Sequence, residues 1–239
     1  MQEILVALTG FLIMLKRQLF LKMIVSQSRH FFAYCDELLE RYRKDSRIMI
    51  VSGDNFDFGV KSTIYSYYFS RYSQTWGWAS WARTWKLVDP SMNLWPEFRN
   101  ARGLESMLTT PAEIKYWDFI FQGMYSGDFN KGWDYLLQLS SFMNHGLSII
   151  PSVNLISNIG FDHDATHTTD NTHCLANLDT FPINFPLHHP PYIFRHAQSD
   201  KDVQKNVFGD QGEETDKSEG LMSRLGRRLN SSIRRLTAH

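Results

Sequence analysis

Two cysteines in 239 residues, Cys35 and Cys174, are too few for a disulfide framework, and neither stands in a Cys-x-x-Cys pair suited to metal or redox work. A reducing cytoplasm is the simplest compartment. Net charge is also missing: 25 basic residues balance 25 acidic ones, so no overall field gathers nucleic acid or acidic substrates, and no nucleic-acid partner is expected. No apolar run reaches the roughly 20 residues that a spanning helix needs. The nearest approach, Ile4 to Leu15, is interrupted by Lys16, Arg17 and Gln18 and resumes from Leu19 to Val25 around Lys22. A signal peptide would place a cation where Glu3 stands and would end in a small-residue cleavage site, so residues 1–30 read as an apolar leader of neither kind. No internal repeat is visible.

What the chain does have is enough apolar content, 43%, for one core of ordinary size. His30 to Arg43 places Phe32, Cys35, Leu38, Leu39 and Tyr42 at helical spacing, with Asp36, Glu37, Glu40 and Arg41 opposite. Ile48 to Val51 is a short β-branched run closed by Ser52 and Gly53, the pattern of a buried strand ending in a turn. Asp54 and Asn55 then fall at that strand's carboxyl end, where open α/β sheets place ligands. Ile114, Trp117, Phe121 and Tyr125 predict a helix over Pro111 to Tyr125, with proline in its first turn. Trp133 to Asn144 predicts another, ended by Gly146, and Leu147 to Val153 a second strand. The alternation of helix and strand points to an α/β domain.

Several blocks within this body carry a resemblance. They are Ser52-Gly53-Asp54-Asn55-Phe56; Tyr67-Tyr68-Phe69-Ser70-Arg71-Tyr72, leading into Trp76-Gly77-Trp78-Ala79-Ser80-Trp81; Trp133-Asp134-Tyr135; and Asn154 to Phe161, followed by Ala165-Thr166-His167-Thr168. In order and spacing together they resemble bacterial nucleotide-diphospho-sugar glycosyltransferases of the GT-A type, over residues 31–208 and about three quarters of the chain. The resemblance implies a GT-A fold of which this chain keeps mainly the acceptor-side half. It also implies a nucleotide sugar as donor, a glycan hydroxyl as acceptor, and Mn²⁺ or Mg²⁺ held under the donor diphosphate by a Glu-Asp-Asp-Cys block.

That block belongs just before the first helix, where this chain reads Leu21-Lys22-Met23-Ile24-Val25. With codons CTG or TTG, AAG, ATG, ATT and GTN, a frame starting on each preceding third base spells Glu-Asp-Asp-Cys. Residues 1–30 are therefore expected to be out-of-frame translation that joins the family's frame near His30. AAA at Lys22, or ATC or ATA at Ile24, would sink this reading.

Sugar transfer requires a base for the acceptor hydroxyl, charge to hold the leaving diphosphate, and groups that orient both sugars. The resemblance implies Asp134 as the base; read from its position alone, Asp134 is equally a first-turn carboxylate stabilised by its helix dipole. His167 is implied as a metal ligand, with Asp162, His163 and Asp164 adding donors beside it. A zinc site from His163, His167, His173 and Cys174 matches no standard ligand spacing. Asp54 and Asn55 suit sugar hydroxyls, or simply form a turn. Arg71 suits a phosphate or a carboxylate within the fold. Trp76 or Trp78 is assigned to an acceptor pyranose, while the spacing of Trp78, Trp81 and Trp85 predicts one helical face turned to the core.

Past Phe208 an acidic linker, residues 209–220, precedes residues 221–239. There Leu221, Leu225, Leu229, Ile233 and Leu236 share one face with arginines around it, a basic amphipathic helix able to lie on anionic lipid. Peripheral contact with the inner membrane through residues 221–236 is therefore open, as is docking on a partner. Two other classes also stay open: a non-catalytic remnant or carbohydrate-binding module, and a membrane-associated interaction protein.

Overall fold

The computed structural model describes residues 4–8, 11–15, 18–21 and 25–27 as strands, and residues 30–57, 63–158 and 177–209 more fully. The first four strands are β1 (Ile4–Leu8), β2 (Phe11–Leu15), β3 (Gln18–Leu21) and β4 (Val25–Gln27), where the sequence suggests only an apolar leader. Helix α1 (Phe31–Arg41) follows, then β5 (Ile48–Ser52), β6 (Tyr67–Ser70) and β7 (Gly77–Ser80). Five helices come next: α2 (Ala82–Trp85), α3 (Trp95–Asn100), α4 (Gly103–Met107), α5 (Pro111–Ser126) and α6 (Trp133–Met143). The chain then forms β8 (Leu147–Pro151), β9 (Ile156–Asn158), α7 (Ala197–Val203) and a π turn (Gln204–Phe208).

The main sheet runs β2-β1-β3-β7-β5-β8-β6, and β4 pairs with β9 in a second sheet of two strands. β5 and β8 are parallel; β6 and β7 flank them antiparallel. β3 covers the outer edge of β7, pairing Phe20 with Trp78. This is a mixed α/β fold, as the alternation of elements predicts.

The side-chain period of two in a strand divides the core between the two faces. On one face Ala79 of β7 and Phe69 of β6 pack with Phe31, Tyr34, Cys35, Leu38 and Leu39 of α1. On the other, Trp78 of β7 packs with Leu137 of α6 and with Met49 and Ile50, neighbours on β5 where the pairing register shifts between Ile48 and Ile50. Behind α6 lies an aromatic cluster in which Trp95, Trp117, Phe121 and Phe142 join α3, α5 and α6.

Local signals explain most boundaries. Thr110 and Glu113 form a reciprocal capping box at the start of α5, Pro111 opens its first turn, and Gly127 ends it at φ 85°. The end of α6 differs from the expectation. The left-handed residue is His145, at φ 50°, whereas Gly146 is needed for close approach, since a Cβ there would lie 2.3 Å from Met49 Cγ. The tryptophans also need correcting, because Trp78 lies on β7, Trp81 caps α2 and Trp85 lies within α2. Their apparent helical spacing spans a strand-to-helix junction. No helix among the described residues is long and apolar enough to cross a membrane.

Candidate functional site

The parallel pair β5 and β8 ends on one edge of the sheet, and most of the candidate residues gather there. Ser52 Oγ accepts the Asp54 N–H at 3.0 Å and donates to the Gln74 carbonyl at 2.9 Å. Asp54 is fully buried, and its Oδ2 accepts the Trp76 N–H at 2.9 Å. Asn55 ties the ends of the two parallel strands together. Its N–H donates to Asn154 Oδ1 at 3.0 Å, its Nδ2 donates to the Pro151 carbonyl at 2.7 Å, and its Oδ1 accepts the Asp57 N–H at 2.8 Å. In the described geometry Asp54 and Asn55 thus hold the loop that follows β5, in keeping with the turn-forming reading of this pair.

Trp76 stands half-buried above this loop, its ring centroid 5.0 Å from that of Phe56. Trp78 is 2% exposed and lies nearly parallel to Trp133, with centroids 5.4 Å apart. Its surface is taken up by packing, so of these two candidates Trp76 is the more exposed. Trp78 pairs with Ser52 across the sheet, so this stack sets the start of α6 beside the carboxyl end of β5. Asp134 follows directly in the first turn, half-buried, and its Oδ1 accepts the Tyr135 N–H at 3.0 Å.

Arg71 lies elsewhere. β6 runs antiparallel to β8, pairing Tyr67 with Pro151 and Ser70 with Ser148, so Arg71 follows the end of β6 farthest from Asn55. Its guanidinium, 4% exposed, reaches Asp200 Oδ2 at 3.2 Å, the Met107 carbonyl at 2.8 Å and Thr109 Oγ1 at 3.1 Å. All of its named partners are internal, which matches the structural alternative for this residue. Asp200 also accepts from Ser70 and Arg195, yet its burial pushes its carboxyl above the usual range, outweighing the cations beside it.

Two features escaped sequence reasoning. Tyr68 OH donates to Asp57 Oδ2 at 2.9 Å and Ser199 Oγ donates to Asp57 Oδ1 at 2.7 Å, a buried network joining residues up to 142 positions apart. No local pattern marks such a pairing. Gln74 is the other: it is buried, and both polar atoms of its amide lack a hydrogen-bond partner. A buried polar side chain without a bond, on the loop whose backbone meets Ser52, is a signal visible only after folding.

His167, with Asp162, His163 and Asp164, lies outside the described residues, as do His173, Cys174 and the basic segment 221–236. Among the described residues no group of three or more His, Cys, Asp or Glu side chains converges to hold a metal ion. The divalent cation implied by the resemblance therefore finds no donor set there. No family model matches the sequence, and no curated protein matches it.

Proposed function

We propose that residues 31–208 are the acceptor-side part of a GT-A-type glycosyltransferase domain, whose reaction moves a sugar from a nucleotide diphosphate to a glycan hydroxyl. One observation supports this reading above the others. Blocks that lie apart in the chain meet at the carboxyl end of β5: Asp54 bonds to Trp76, Asn55 bonds to Asn154, and Trp78 stacks on Trp133 beside Asp134. In this reading Asp134, in the first turn of α6, accepts the acceptor's proton, and Trp76 offers its ring to the acceptor sugar. The resemblance gives His167 to a Mn²⁺ or Mg²⁺ ion that would neutralise the departing diphosphate. Transfer is impaired in these 239 residues, in which no Glu-Asp-Asp-Cys block stands.

The test uses two proteins. The 239-residue chain with Mn²⁺ and a panel of nucleotide sugars should release no nucleoside diphosphate above the blank. A chimera carrying the donor-side half of a bacterial nucleotide-diphospho-sugar transferase ahead of His30 should release it when acceptor is present. Asp134→Asn in that chimera should lower the rate by a factor of about 10² to 10⁴, the usual worth of a positioned base. Turnover by the chain alone would end the claim of impairment, and a folded chimera indifferent to Asp134→Asn would end the assignment of the base.

A lipid-linked or envelope glycan as acceptor would suit the basic segment 221–236, placing the domain at the inner face of an anionic membrane. The full chain should float with anionic liposomes, and a chain lacking residues 221–239 should stay at the bottom of the gradient. Equal behaviour of the two would remove the membrane contact.

A further inference from the structure

Beside β6 a cavity of about 410 Å³ opens between the approach to that strand and the segment after Pro190, within the size range of small-molecule sites. Its walls are largely rings: Tyr65, Tyr68, Tyr192 and Phe194, with Thr63 and His196 among the polar contributors. We propose that this cavity is a subsite for a neutral glycan, stacking one sugar ring on Tyr192 and Phe194; its ligand class rests on the glycosyl-transfer reading above.

Three observations lead there. The first is exposure. Tyr192 is 49% and Phe194 57% exposed, their centroids 4.9 Å apart and their planes 32° apart, so the two rings form an open, gently folded platform. Large aromatic surface left in water beside a concavity marks a binding surface more often than a packing fault. A pyranose offers such rings an apolar C–H face, while its hydroxyls seek hydrogen-bond partners around the rim.

The second is charge. Among the described residues no Asp, Glu, Lys or Arg lines the cavity. A phosphate, a nucleotide or a charged peptide would find no counter-charge among these described residues, whereas an uncharged polyol needs only donors and acceptors. The rim supplies these. The hydroxyls of Tyr192 and Tyr65 lie 3.4 Å apart, and His196 Nδ1 accepts the Ser199 N–H at 3.1 Å. In the neutral imidazole this places the proton on Nε2, leaving that atom a donor.

The third is position and rigidity. Tyr67 at the start of β6 pairs with Pro151, whose carbonyl is held by Asn55, so the approach to β6 reaches the same sheet edge as the loop after β5. The floor is fixed as well, since the hydroxyl of Tyr68 is anchored by Asp57 and Ser199. A cavity with a fixed floor loses little freedom when a ligand enters.

The experiment is saturation-transfer NMR on the full 239-residue chain, with lactose, maltose, cellobiose and chitobiose as probes and adenosine as a flat, uncharged control. At least one disaccharide should receive saturation at its ring C–H protons, more strongly on one sugar than the other. Phe194→Ala and Tyr192→Ala should each weaken its apparent affinity about tenfold, the loss of one aromatic stack, while Phe194→Trp should retain it. Both rings are about half exposed and neither belongs to a core cluster, so the alanine variants should keep the fold, which circular dichroism checks. The subsite is overturned if no disaccharide binds, if the alanine variants bind as the parent does, or if adenosine binds as tightly through the same rings. The two readings fail separately. Ring-dependent disaccharide binding alongside a chimera that does not transfer leaves the subsite and removes the enzyme, and a transferring chimera whose acceptor KM ignores Phe194→Ala does the reverse.

Discussion

Asp200 and Arg71 form the most deeply buried ion pair among the described residues, at 0% and 4% side-chain exposure, and each side chain has further internal partners. Removing one charge strands the other. Asp200→Asn should therefore lower stability by about 3 kcal/mol, read from urea denaturation midpoints at constant m. An unchanged midpoint would mean that the guanidinium finds water in the folded protein. Gln74 poses the opposite case, because its amide is buried with neither polar atom bonded. Gln74→Leu relieves that desolvation at similar volume and should raise stability by about 1 to 2 kcal/mol. A loss instead would show that the amide is bonded in solution, through a water or a ligand.

Helix α5 is the best specified element, and its start can be tested alone. Thr110 Oγ1 accepts the Glu113 N–H at 3.2 Å, and Glu113 Oε2 accepts the N–H groups of Thr110 and Thr109 at 2.9 Å and 2.7 Å. Thr110→Ala removes one arm of the box and should cost about 1 kcal/mol in thermal or urea unfolding. A cost near zero would imply that Glu113 alone holds the turn, since Tyr72 OH also donates to it at 3.3 Å. By contrast α6 has no side-chain cap, and its start rests on the stack of Trp133 against Trp78. That difference matches their roles, for α5 closes the aromatic cluster while α6 carries Asp134 to the sheet edge.

The segment after residue 177 packs Ile183, Leu187 and Val203 into the hydrophobic clusters of the domain, and His189 adds a polar fastening. Tyr67 OH lies 2.9 Å from His189 Nδ1, and His189 Nε2 lies 3.1 Å from Glu37 Oε1 on α1. Burial lowers the pKa of His189, with Arg41 acting in the same direction and Glu37 against it. A depressed histidine takes up its proton more readily when unfolded. Its contribution to stability is therefore complete above about pH 6.5 and is lost as pH falls through the depressed value. We expect the unfolding midpoint to fall across that window, and His189→Gln to flatten the fall. A decline of equal slope in both proteins would place the acid sensitivity elsewhere.

Periodicity and turn chemistry are local properties, so the helix over His30 to Arg43, the strand at Ile48, the proline-headed α5 and the second strand at Leu147 were all legible in the residues, to within one or two positions at most ends, although Phe32, expected on the apolar face of α1, is 43% exposed and Phe31 and Tyr34 are buried instead. The same holds for the placing of Asp54 and Asn55 at a strand's carboxyl end and of Asp134 in a first helical turn. Other assignments depend on contacts between distant residues, which no window of sequence contains. That Arg71 faces Asp200, that Trp78 is packed beneath Trp133 and that Asp57 answers to Ser199 follow only once strands, helices and the late segment meet. The ring-lined cavity is of the same kind, assembled from the approach to β6 and a stretch more than 120 residues later. Hydrophobic spacing chooses which face of an element is buried, whereas partners for polar and charged groups are chosen by where the chain returns, and that is a property of the folded molecule.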